Sequence, residues 1–171
     1  MNLNMNKNIA IAYNENIISK IFNLMNSSYE KLKNFIKTKE LNVKFYYELN
    51  ERFNEIALKL EKLMLYEELG YFLALTRHIS YIIKKNIDDE KFGHCDFALE
   101  LLNFFIELFQ TNLNFYKAID KTSINEFNNT QEKFKMRYWQ YRRKFYLNIY
   151  DPADNLCEDE IIKIMESMRG Q

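Results

Sequence analysis

The sequence predicts an all-α fold, an antiparallel bundle of five to six helices in one domain spanning 1–171, on three observations. Three Gly and one Pro in 171 residues leave too little turn material for hairpins or sandwiches, which need turn residues about every ten positions. Apolar residues recur at three- and four-residue steps over long uninterrupted segments, the period of an amphipathic helix. The 14 Phe and 12 Tyr supply large side chains for burial, in a chain long enough to bury about two-thirds of its unfolded surface.

Residues 1–13, Asn-rich around a short apolar run, read as a frayed lead-in. Ile17, Ile18, Ile21, Leu24, Met25, Tyr29, Leu32, Phe35 and Ile36 then mark a helix from about 15 to 37. A second helix, about 40 to 66, turns Phe45, Leu49, Phe53, Ile56, Leu60 and Leu63 inward, and Gly70 is the expected place for it to end or kink. A third covers about 70 to 85. The polar stretch "NIDDEKFGHCD" (86 to 96) is a loop whose Asp96 caps the fourth helix, about 96 to 118. In that helix Glu100, Asn103, Glu107, Gln110, Asn114 and Lys117 form one narrow polar stripe and nearly every other position is apolar, so it is expected at the centre, covered on three sides. Ser123 with Glu126 forms a capping box that starts a fifth helix running to about Tyr150, stopped by Asp151-Pro152. A short last helix, about 157 to 168, presents Ile161, Ile162, Met165 and Met168 on one side.

Twenty-four cations balance 24 acids, so no global field gathers nucleic acid or an anionic membrane, and any such partner needs a local patch. The most apolar run, "FALELLNFFIELF" (97 to 109), contains Glu100 and Glu107 and falls short of the roughly twenty apolar residues of a membrane span. Cys95 and Cys157 match no zinc or redox spacing. Without a secretory signal they read as free thiols of a cytoplasmic protein.

The local patch is "KFKMRYWQYRRK" (133 to 144), with six cations and no acid. Helical spacing sorts it. Phe127, Phe134, Tyr138, Tyr141 and Phe145 fall on a core stripe, with Lys133, Arg137 and Lys144 along one flank and Lys135, Trp139, Arg142 and Tyr146 along the other. Rings on the core stripe have no free face for stacking, so only Trp139 and Tyr146, ringed by Lys135, Arg142 and Arg143, offer an exposed platform. The bland alternative is that the cationic stems lie over the aromatic core with their heads in water. "DPADNLCEDE" (151 to 160) carries five acids directly after this helix and is a candidate cover for it.

His78, in "FLALTRHISYIIKK", invites comparison with the phospho-accepting histidine of sensor kinases, but Ile79 stands where an acid is expected and the downstream proline is absent. Asp88, Asp89, Glu90, His94, Cys95 and Asp96 are the densest set of ligand-type side chains, without the paired spacing of zinc or di-iron sites. No GxSxG and no Gly-rich phosphate loop occurs. No catalytic residue, metal or cofactor is therefore expected. The favoured reading is a non-catalytic cytoplasmic interaction or regulatory protein, binding a protein partner or a second copy, with Lys135, Arg137, Trp139, Arg142, Arg143 and Tyr146 as contact residues. Self-association draws on the apolar surplus of the third and fourth helices. Two alternatives stand beside it: a polyanion binder, for nucleic acid or phosphate, acting through 133–146, and an unrecognised enzyme or phosphorelay component using His78.

Overall fold

Five long helices carry the chain in a computed structural model that describes residue 11 and residues 14–118 and 123–155, the last two by backbone alone. They are α1 (Glu15–Thr38), α2 (Val43–Lys62), α3 (Tyr66–Asp89), α4 (Cys95–Lys117) and α5 (Ile124–Asn148), with a 3₁₀ turn at Pro152–Asn155. No strand occurs among the described residues, and the fold is the expected helical bundle. The last helix, 157–168, and all but the start of the acidic segment lie outside the described residues. So does most of the lead-in, of which Ile11 is buried.

The chain divides into two compact units, Met1–Met136 and Arg137–Gln171. In the first, α1 packs on α2, α2 on α3, α3 on α4, and α4 returns to α1, closing a four-helix ring. The connections at 39–42, 63–65 and 90–94 are short, which makes consecutive helices antiparallel neighbours. In α1 the buried side chains are Ile18, Ile21, Met25, Ser28, Leu32 and Phe35, an alternating three-four seam. Ser28 fits this seam because its hydroxyl donates to the Leu24 carbonyl at 2.7 Å, so its own donor is met in the core.

Phenylalanines tie the ring together. Phe53 of α2 meets Phe72 of α3 at 5.7 Å, Phe72 meets Phe105 of α4 at 4.8 Å, Phe105 stacks on Phe109 at 5.9 Å, and Phe109 meets Phe22 of α1 at 5.1 Å between ring centres. One unbroken file of rings thus touches all four helices, and each pair contributes about 0.5–1.5 kcal/mol beyond its buried area. A second contact, Phe35 stacked on Phe45 at 4.4 Å, binds α1 to α2 near the other end.

The central place expected for α4 is the one it takes. Twelve of its side chains, Cys95 to Tyr116, are buried. Besides α1 and α3 it meets the first part of α5, where Phe127 lies against Phe115 and Tyr116 and Phe134 against Phe104. Its apolar surplus is consumed within the chain, and none of its side chains is among the exposed large apolar ones.

The break after α2 differs from the expectation at Gly70. Met64 takes a left-handed backbone (φ 56°), its N–H donates to the Glu61 carbonyl and the Leu65 N–H to the Leu60 carbonyl. This is a Schellman stop, sealed by Leu60 and Leu65, both fully buried. Burial of the leucines outweighs glycine propensity in placing the turn, and Gly70 lies inside α3 facing solvent. At the next connection α3 continues past the expected 85 to Asp89, because the buried Asn86 donates to the Gly93 carbonyl at 2.8 Å and accepts the Gly93 N–H, clamping the loop. His94, also left-handed, is the N-cap residue of α4, so Asp96 sits within the first turn instead of capping it.

Candidate interaction face

Helix α5 begins at Ser123, whose Oγ accepts the Asn125 N–H at 3.1 Å, and ends at Asn148, close to the expected Tyr150. The division of the chain falls within it, after Met136. Lys135 is exposed and precedes the division. The other five expected contact residues belong to the second unit.

There the geometry separates them. Phe145 and Ile149 are buried, and Tyr150 lies against both Phe145 and Tyr146. Trp139 is 52% exposed and Tyr146 45% exposed. The Arg142 guanidinium carbon stands 5.1 Å from the Trp139 ring centre and 5.6 Å from that of Tyr146. Spacings of three and four residues stack these side chains along one side of the helix, a cation held against two aromatic rings. Arg143 is exposed beside them. Arg137 is half-buried and stands five positions from Arg142, about 140° around the helix, so it does not join the others.

Leu147, absent from the expected set, is 69% exposed and one turn beyond Arg143. Its signal in the sequence is a leucine off the core stripe and next to cations.

A second feature that periodicity missed lies in the first unit. Glu68, in the first turn of α3, is fully buried. Its Oε1 accepts hydrogen bonds from the Tyr116 hydroxyl and, at 3.4 Å, from Asn112 Nδ2, while Oε2 is buried with no partner among the described residues. Asn112 and Gln131 of α5 exchange amide hydrogen bonds at 2.7 and 3.3 Å. Burial first, and the neighbouring Glu68 second, push the Tyr116 hydroxyl well above the ordinary tyrosine range, so it stays a proton donor. The cluster joins α3, α4 and α5 by polar contacts and leaves no member open to solvent except through Gln131, so its chemistry is that of a structural network.

No family model, curated protein or solved structure matches the chain. The face on α5 is therefore weighed on its own chemistry against the other candidates. His78 is only 7% exposed, which withdraws a phosphotransfer partner's access to the ring. In the ligand-rich loop Asp88 pairs with Lys84 at 2.9 Å and Asp89 with Lys85 at 3.8 Å. Cys95 is buried there, and burial, with Asp96 adding, pushes its thiol up to about 11. Among the described residues no helix is long and apolar enough to cross a membrane.

Proposed function

We propose that the chain is a non-catalytic helical interaction protein of the cytoplasm, and that it takes a partner protein on the α5 face formed by Trp139, Arg142, Arg143, Tyr146 and Leu147. The observation that carries this reading is the exposure of three large apolar side chains, Trp139, Tyr146 and Leu147, along one helix beside arginines. Trp, Tyr and Arg are the side chains that most often dominate the binding energy of an interface. Most apolar side chains of α4 are buried, whereas Tyr66 and Leu73 of α3 are exposed, so self-association draws its support from α3 alone. The buried thiol of Cys95 is in keeping with a reducing compartment.

Photo-crosslinking in the native host tests the face. A photoreactive residue in place of Leu147 is expected to capture a discrete partner, and one in place of Leu73, an exposed leucine of α3, is not. Capture from position 73 alone refutes the face, and capture only of a second copy makes the partner the chain itself.

A further inference from the structure

We infer that Arg142 anchors this face by receiving a carboxylate, and that the partner element is an acidic amphipathic protein segment. The inference rests on the reading of α5 as an interaction face and names what the face recognises.

The cations of the second unit are not equivalent. Arg137 and Lys144 already have interactions within the chain. Arg142 is held by the rings of Trp139 and Tyr146 and makes no ion pair or hydrogen bond among the described residues; Arg143 likewise makes none. A guanidinium carries five N–H donors in one plane, arranged to meet a carboxylate with two parallel bonds. Stacking against rings removes much of the side-chain freedom that a free arginine loses on binding, so Arg142 is pre-ordered for an oxyanion. No acid occurs from Lys133 to Tyr150, so nothing along the helix competes for it.

A nucleic-acid strand fits this arrangement less well. Affinity for a phosphate backbone grows with the number of phosphates neutralised, and the described residues of the second unit offer two uncommitted arginines side by side, which is no track along a strand. The apolar surface between and beyond the arginines, Trp139 and Leu147, asks instead for an occupant with its own apolar side chains next to its carboxylates. An acidic amphipathic helix presents both on one side.

The test measures fluorescence anisotropy of a labelled synthetic peptide with Glu and Leu at helical spacing, titrated with the full chain. A Lys-for-Glu version of the peptide and a labelled oligothymidine serve as the other probes. The acidic peptide is expected to bind saturably and the other two not. Arg142→Lys keeps the charge but loses the planar fork, and is expected to weaken binding about tenfold, against about twofold or less for Arg143→Lys. Circular dichroism melts check that both variants fold. Equal binding by wild type and Arg142→Lys overturns the anchor while leaving the face in place, provided Trp139→Ala still abolishes binding. Binding indifferent to both Trp139→Ala and Tyr146→Ala overturns the face itself. Oligothymidine binding in place of peptide binding, or no binding of the acidic peptide, overturns the acidic-segment inference.

Discussion

Met64 and Gly70 occupy each other's natural places. Met64 holds a left-handed backbone, which costs an L-residue roughly 1–2 kcal/mol, while its side chain points mostly into solvent. Gly70 sits in a helix where Ala is better by about 0.5–1 kcal/mol, and a Cβ there would meet no atom within 4 Å. Met64→Gly is expected to gain about 0.5–1 kcal/mol, the relief of strain being partly offset by the freer unfolded chain. Gly70→Ala is expected to gain a similar amount, about 0.5–1 kcal/mol. Urea denaturation checks both: the midpoint should rise at unchanged slope. A fall in the midpoint of Met64→Gly would mean that the methionine contributes packing beyond its exposed appearance. Lys39, Glu90 and His94 share the left-handed conformation, so the three connections from α1 to α4 are turned with residues other than glycine in that conformation.

The first part of α5, up to Met136, meets α4 through ring contacts of Phe127 and Phe134, and the Asn112–Gln131 amide pair lies between them. Removing one amide strands the other, whereas removing both replaces a polar contact by an apolar one. Gln131→Leu alone is therefore expected to cost about 1–2 kcal/mol, and adding Asn112→Leu is expected to cost less than the sum of the two single changes. A double-mutant cycle by denaturation measures the difference; strict additivity would show that the pair is not coupled. How far such features can be read in advance depends on their range. The seam of α1 and the three-sided burial of α4 follow from local periodicity and were legible, as was the start of α5 at Ser123. The end of α2 was not, because Leu60 and Leu65 decide it by being buried in a fold that the local sequence does not contain. Asn112 stood on the apolar side of α4 as a visible irregularity. Its partners Glu68 and Gln131 come from other helices and no spacing rule connects them. Of the candidate face, helical phase put Arg137 on the flank opposite Trp139, Arg142 and Tyr146 even though the expected contact set kept it, while the ring contacts of Arg142 and the exposure of Leu147 required coordinates.

At the scale of the molecule the two units distribute aromatic side chains differently. The first files its phenylalanines through the interior, and the second leaves the single tryptophan of the chain in solvent. Phe105 is the link at which the file passes from α3 into α4 and on along α4 toward α1, and it is fully buried. Truncating it removes a ring whose neighbours, Phe72 and Phe109, are themselves rings. Phe105→Ala is expected to cost about 3–5 kcal/mol, and its hole to remain dry because it is lined by apolar groups. Such a hole is a receptacle of the size and polarity of benzene. Adding benzene should raise the melting temperature of Phe105→Ala and leave that of wild type unchanged, whereas an indifferent variant would mean that the neighbouring rings have collapsed into the space. The close-packed core of this chain is thus also a mould, from which a host for a small aromatic guest can be cast by a single substitution.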